Sequence, residues 1–357
     1  MNHFAKIRDA IVAAGLDAIV LSEEANRFYA SDFLSTGTDG IAFVTKKQNY
    51  YFTDSRYTVA AERHVHGAEI SIVGNGNTYS SYINEIIERE GIKTVGYDDT
   101  HMSAADLRTY TEKLHCELVP AAELMNGLRL VKDADEIARL TAAQRIAEKA
   151  LNETIPMIKP GVTEPEVAAY LVYRLLANGA ENVSFDPIVV SGENGAMPHG
   201  VPSDKKIQSG EFVTIDYGAL KDGYCSDTTR TFAVGEVTEE MKTVYNTVLA
   251  AQKAAIAATK AGMTGEEIDG IARKVITDAG YGEYFGHSYG HGVGIEIHED
   301  PFLSSRGKTP LPAGAVASAE PGIYIPGKFG VRIEDVVVIT EDGCEDLTLL
   351  PKELTVL

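Results

Sequence analysis

The stretch KPGVTEPEV, residues 159–167, returns later in the chain as KAGMTGEEI, residues 260–268. Each copy follows a long helical pattern and opens a second helix. Each sets a threonine, Thr163 or Thr264, three positions before a glutamate, Glu166 or Glu267. That is a capping box, in which the two side chains satisfy each other's free backbone N–H groups. Each second helix then meets a glycine stop, Gly179 or Gly280, and strand-like sequence follows. Capping boxes look alike anywhere, but the equal spacing of cap and stop favours a duplicated αα-β unit. The expected architecture is an α+β domain of pseudo-twofold αα-β repeats, with room for a site between the two sheets.

Working outward, KDADEIARLTAAQRIAEKALNETIPMIKPG carries Asp133 as a cap with Glu136 three residues on. Ile137, Leu140 and Ile146 supply a helical stripe, and Pro160-Gly161 is the expected stop. The texture changes between 125 and 131, which divides the chain into residues 1–127 and 128–357. The first part alternates helix and strand. DAIVLS reads as a strand, IAFVT and NYYFTD as a hairpin, TYSSYINEIIEREG as a helix, KTVGYDD as a strand, SAADLRTYTEKL as a helix and CELVPA as a last strand. This predicts a small α/β domain.

A net charge of −20 repels phosphates, which sets aside nucleic acid and anionic membranes as partners. No apolar run approaches a membrane span, and the first residues lack the apolar block of a secretion signal. Cys116, Cys225 and Cys344 are odd in number and widely spaced, as free thiols in a reducing cytoplasm would be.

The first repeat leads into EFVTIDYGALKDGYCSDTTRTFAV, residues 211–234, a hairpin with a Lys-Asp-Gly turn. A turn centred on 221–222 puts Asp216 directly opposite Asp227. One centred on 222–223 makes them diagonal neighbours. Both registers leave the two on one face. Like charges there are destabilising, so a cation is a natural compensator. Two aspartates on a solvated hairpin face are the commoner arrangement for one such pair. The second repeat, however, has its own pair: Glu320 in AVASAEPGIYI, and Glu334 in GVRIEDVVVIT, read as a strand with Arg332 on the same face. Cys225 reads as a small packed residue.

Every histidine beyond residue 115 lies in two glycine- and proline-rich loops: His199 in GAMPHGVP, and His287, His291 and His298 in GHSYGHGVGIEIHE. The i, i+4 spacing of His287 and His291 suits a helix, but SYG and GVG do not. No H-E-x-x-H is present, which excludes the zinc helix. His291 and His298 fall on opposite faces of a regular strand and can converge only if the glycines at 290, 292 and 294 permit a bulge or turn. Asp216, Asp227, Glu320 and Glu334 together would balance two divalent ions. An oxygen-rich set with one imidazole suits manganese, iron or cobalt better than structural zinc. One histidine is then expected on metal and the others near substrate.

These residues resemble the pita-bread metallopeptidases, the family of methionine aminopeptidase, aminopeptidase P, prolidase and creatinase. Asp216 in TIDYG, Asp227 in SDTTRT, His291 in GHGVG, Glu320 in AEPGIY and Glu334 in VRIED match the five metal ligands in order. His199, His287 and His298 match the family's non-ligand histidines, and Arg332 matches an arginine before the last ligand. ANRFYASDFLSTGTDG and YFTDSRYTVAAERH are similar to the first domain of the proline-specific branch.

The resemblance implies a pita-bread catalytic domain holding two divalent ions, manganese first, with cobalt, iron or zinc as alternatives. It implies cleavage of the bond before proline in a peptide substrate, and a homodimer. Glu320 is the expected proton shuttle. His199 and His298 would assist the oxyanion or the leaving nitrogen, and His287 would shape the proline pocket. Arg332 would orient Glu334 or bind a substrate carboxylate. Dipeptidase and aminopeptidase are both open, and Arg306 is a candidate grip for a substrate carboxylate. A creatinase-like amidinohydrolase and a non-catalytic binding protein are alternatives on the same fold, and intact ligands count against both.

Overall fold

A computed structural model describes residues 2–37, 39–74 and 76–357. The chain divides into two compact units, Met1–Arg129 and Leu130–Leu357.

The first unit is a mixed sheet with helices. Its strands are β1 (Ala18–Leu21), β2 (Gly40–Thr45), β3 (Asn49–Asp54), β4 (Glu69–Val73), β5 (Thr94–Tyr97) and β6 (Glu117–Pro120), in the order β4-β3-β2-β1-β5-β6. The β2–β3 hairpin is antiparallel, while β5 pairs parallel to β1 and to β6. β1 and β2 are buried along their whole length. They therefore read as unbroken apolar runs rather than as alternating ones. The helices are α1 (Phe4–Ala13), α2 (Glu24–Ser31), α3 (Thr58–His64), α4 (Tyr79–Glu90), α5 (Ala104–Lys113) and α6 (Ala122–Leu130). Helix α2 had no sequence expectation. It begins where the Glu23 carboxylate accepts the N–H groups of Ala25 and Asn26.

The second unit contains the repeat. Helix α7 (Ala134–Thr154) starts on the Asp133–Glu136 capping box. It ends earlier than expected, passing at Thr154 into a 3₁₀ turn over Ile155–Met157. Pro156 explains this: it has no N–H to continue the α-helical ladder. Helix α8 (Glu164–Ala177) has the Thr163–Glu166 box, and after α9 (Glu239–Ala258), α10 (Gly265–Asp278) has the Thr264–Glu267 box. The two caps also pair alike, Thr163 bridging to Lys206 and Thr264 to Pro310. Gly179 and Gly280 follow the helix ends with φ of 103° and 86°, which a residue with a Cβ rarely adopts.

The first half supplies β7 (Asn182–Val183), β8 (Ile188–Ser191), β9 (Glu211–Tyr217), β10 (Ala219–Lys221), β11 (Tyr224–Cys225) and β12 (Thr228–Val234). The second supplies β13 (Gly290–Gly292), β14 (Glu299–Leu303), β15 (Val316–Ala319), β16 (Gly322–Ile325), β17 (Phe329–Arg332), β18 (Asp335–Ile339) and β19 (Cys344–Asp346). The main sheets run β12-β9-β8 and β14-β13-β15-β18-β19, with a β16-β17 ribbon.

Alternation decides which side chains are left for a site. On β9, Val213, Ile215 and Tyr217 enter the core built on Leu151, Val167 and Leu171 of α7 and α8. Thr214 and Asp216 must then face the other way. On β15, Ala317 and Ala319 pack with Val248, Ile268 and Ala272 of α9 and α10. This leaves Ser318, and by the same parity Glu320, on the opposite face.

Candidate metal centre

The hairpin adopts the second of the two registers. Leu220 pairs with Cys225 and Lys221 with Tyr224, so the turn sits on Asp222–Gly223, with φ of 49° and 76°. Asp216 pairs with Thr229, which makes Asp227 its diagonal neighbour on one face. Gly218 lets the two arms close, because a Cβ there would overlap the Ser226 carbonyl oxygen.

The histidine loop is not helical: of its three histidines only His291 lies in a strand, β13, and His287 and His298 lie in the irregular segments on either side. β13 pairs with β14 through a bulge between His291 and Gly292. The bulge and the chain reversal over 293–298 together overcome the odd spacing, and the rings of His291 and His298 meet with centroids 4.3 Å apart. His291 Nδ1–H donates to Gly292 O at 3.1 Å. Its Nε2 lone pair therefore points into the cluster, 3.2 Å from Glu320 Oε1 and 3.5 Å from Asp227 Oδ2. Ser318 Oγ–H donates to Glu320 Oε1 at 3.1 Å.

Glu334 departs from the sequence reading. It is not inside a strand but in the break between β17 and β18. Its N–H donates to Thr229 O at 3.1 Å, so the chain leaves the β16-β17 ribbon here and turns into the larger sheet. Thr229 Oγ1–H donates to its carboxylate at 2.7 Å. Ligand atoms of Asp227, His291 and Glu334 all lie within 4.8 Å of one another.

Arg332 is almost fully buried, and its guanidinium is spent within the protein. It donates to Asp216 Oδ2 at 2.6 Å, Tyr324 Oη at 2.8 Å, Thr229 Oγ1 at 3.1 Å and Pro198 O at 3.3 Å. The expected partner was Glu334 or a substrate carboxylate; the side chain holds Asp216 instead, and meets Glu334 only through Thr229. His287 is likewise held at both nitrogens. Nδ1–H donates to Ser288 O at 2.8 Å, and Tyr324 Oη–H donates to Nε2 at 2.9 Å. Tyr324 was missed because GIYI reads as an apolar strand. Its phenol is buried and pushed up to about 12, chiefly by burial, so it remains a donor.

His199 lies on an exposed loop, near enough for its charge to act on His287 and His298. Burial first, and neighbouring positive charge after it, hold both of those histidines below the ordinary value. Arg306 is exposed, with its guanidinium over the Phe302 ring at 5.2 Å. Cys225 is buried, its Sγ 3.5 Å from Ile295 O, and burial pushes its thiol up to about 12. It is a packed thiol, as the sequence suggested.

The electrostatics are unfavourable for three of the carboxylates, whereas the His291 contact, working against burial, holds Glu320 down to about 2. Burial, then mutual repulsion, lifts Asp227 and Glu334 well above the carboxylate range. Burial also lifts Asp216, against the pull of Arg332. Two like charges about 4 Å apart repel by about 4 kcal/mol at an effective dielectric near 20. Asp216 Oδ1 is buried without a hydrogen-bond partner among the described residues. An orphaned carboxylate oxygen, an imidazole lone pair aimed at carboxylates and a crowd of buried acids are what a cation would resolve. The residues present fit divalent metal.

Sequence comparison agrees with this chemistry. Residues 138–341 match metallopeptidase family M24, and residues 4–131 match the creatinase/prolidase N-terminal domain. The chain belongs to family M24, in its two-domain form with the pita-bread catalytic domain. It is similar to a solved Xaa-Pro dipeptidase from Bacillus anthracis, with 43% identity, 99% of each chain covered and a TM-score of 0.94. It is also similar to a solved X-Pro aminopeptidase from Thermotoga maritima, with 38% identity, 100% of each chain covered and a TM-score of 0.93. An Xaa-Pro dipeptidase from Pyrococcus furiosus is 40% identical over 340 residues, 95% of each chain.

Proposed function

We propose that this protein hydrolyses the peptide bond before proline, using two divalent metal ions held by Asp216, Asp227, His291, Glu320 and Glu334. The observation that carries the reading is the convergence of Asp227, His291 and Glu334 donor atoms within 4.8 Å, drawn from both repeats. The resemblance to proline-specific peptidases over the whole chain names the reaction. When bound, the ions supply Lewis acidity and make a strong nucleophile of water near neutral pH.

The chain's own residues do the rest. Glu320, beside His291 Nε2, takes and returns the proton of the attacking water. His298 and His199 donate to the oxyanion or to the departing proline nitrogen. His287, locked by Ser288 and Tyr324, walls the proline pocket. Arg332 acts from behind, fixing Asp216 and leaving its other oxygen for metal. Its buried, fully engaged guanidinium speaks against a direct grip on substrate.

Manganese is the proposed ion, since carboxylates with one imidazole suit a hard to borderline metal. We place the start of the catalytic domain at residue 128, beside the compact-unit division at 129/130. We propose a homodimer on the family resemblance and a cytoplasmic setting on the three unpaired cysteines. All three cysteines are unpaired, and no described helix is long and apolar enough to cross a membrane.

The deciding experiment is to load the purified protein with manganese and assay Xaa-Pro against Xaa-Pro-Yaa peptides. Cleavage of the dipeptide alone assigns a dipeptidase, and cleavage of both an aminopeptidase. Cleavage of neither, with metal bound, overturns the reading.

A further inference from the structure

We propose that Glu164 is a positioning residue that fixes the loop carrying His199. This rests on the hydrolytic reading above, and Glu164 acts there through His199, without touching substrate or ion. Glu164 is the first residue of α8 and is completely buried. Its carboxylate is bonded throughout by neutral donors. Oε1 accepts from Ser191 N at 2.6 Å, Ser191 Oγ at 2.8 Å and Asn194 Nδ2 at 3.2 Å. Oε2 accepts from Ser203 N at 2.9 Å, Ser203 Oγ at 2.9 Å and Asn194 Nδ2 at 3.2 Å.

Ser191 closes β8, and Ser203 is where the loop returns. One carboxylate therefore staples both ends of the segment 192–202. At the far end of that segment Met197 and Val201 are 48% and 78% exposed, and His199 between them is exposed too. Two further ties hold the middle. Gly195 packs against the Gly330 backbone so closely that a Cβ on Gly330 would overlap Gly195 O. Pro198 O accepts from Arg332 Nη1 at 3.3 Å. The loop is thus fixed at its base and beside the metal cluster, while its tip is presented outward.

Helix α8 does not need this carboxylate to begin. Its first turn is already capped by the Thr163–Glu166 box. The repeat makes the same point: the position equivalent to Glu164 is Gly265, and α10 starts there on its own box. A Cβ at Gly265 would overlap the Phe302 carbonyl oxygen, so the second half fills this space with β14. A completely buried carboxylate, where its repeat partner has no side chain at all, points to a duty specific to the first half. The loop it grips carries the only histidine of that half. Misplacing a reacting group by about 1 Å can cost on the order of 100-fold in rate.

The test is Glu164→Gln in the manganese-loaded protein, alone and combined with His199→Ala. The amide keeps the shape but turns an N–H toward a serine N–H. We expect kcat on an Xaa-Pro dipeptide to fall about 10-fold or more with bound metal unchanged. In the His199→Ala background the same substitution should cost less than about 2-fold, because both act through one group. Losses that multiply, or lost metal, would overturn the proposal. Hydrogen exchange on Ser203→Ala, a milder change, keeps the question open to refutation if Glu164→Gln does not fold. Exchange should quicken across residues 192–203 and stay unchanged at β9, and unchanged exchange in the loop sinks the clamp. That readout needs no substrate, so it stands even if the wild-type protein does not cleave Xaa-Pro peptides.

Discussion

His291 Nε2 stands 3.2 Å from Glu320 Oε1, while its Nδ1–H is committed to Gly292 O. With the other nitrogen carrying the proton, a neutral His291 would bring its lone pair against a carboxylate. Only a proton or a metal ion makes that contact favourable. His291→Ala should therefore remove at least one ion from the loaded protein and lower kcat/KM by about 100-fold or more, since losing even an outer-shell partner costs 10–100-fold. Metal analysis beside the peptide assay checks it. Full metal content with full activity would remove His291 from the ligand set.

Asp227 and Glu334 set an unusual pH dependence. Their folded-state values are raised first by burial and then by neighbouring carboxylates, Glu334 acting on Asp227 and Glu320 and Asp216 on both, so at intermediate pH the folded form binds more protons than the unfolded one. Their contribution is then greatest at low pH and is lost as pH rises from the unfolded value near 4 toward the folded one. Metal-free protein should show this as a loss of thermal stability with rising pH that manganese abolishes. Asp227→Asn should flatten the dependence and raise the metal-free midpoint, by about 2–4 °C for each kcal/mol of repulsion relieved. Scanning calorimetry of both proteins with and without chelator is the measurement. A midpoint lowered by the substitution across the whole range would refute the account.

Arg332→Lys tests whether charge or shape matters behind Asp216. A lysine keeps the positive charge but cannot reach Asp216, Tyr324 and Thr229 together. Metal affinity is expected to fall about 10–100-fold. If affinity is retained and only KM for dipeptides rises, Arg332 is a substrate grip after all.

Cys225 should behave as packing. Its buried thiol, pushed up to about 12, presents almost no thiolate at pH 8. Alkylation of the folded protein should leave Cys225 unmodified and activity intact, as peptide mapping would show. Rapid labelling at Cys225 would mean that the β10–β11 hairpin opens in solution.

What sequence could deliver here was local. The boxes at Thr163 and Thr264 involve residues three apart, and the helices begin where that pattern says. The Asp216–Asp227 hairpin was narrowed to two registers because its turn is short. The misreadings involve partners far away in the chain. Glu334 leaves its strand to bond Thr229, and Arg332 chooses Asp216 rather than its near neighbour. Neither choice leaves a trace in strand periodicity. Tyr324 and Glu164 were invisible for the same reason: an aromatic in a β-run and an acid in a first helical turn already have ordinary explanations.

The crowd of buried acids has an evolutionary side. Without cations, buried Asp227 and Glu334 weaken the fold that carries them, so neutral replacements there are expected to yield a sturdier protein. Selection for folding alone would erode this centre before it eroded the scaffold. A chain that keeps Asp227 and Glu334 buried beside Asp216 does so against that drift, a cost that the proposed metal site would offset.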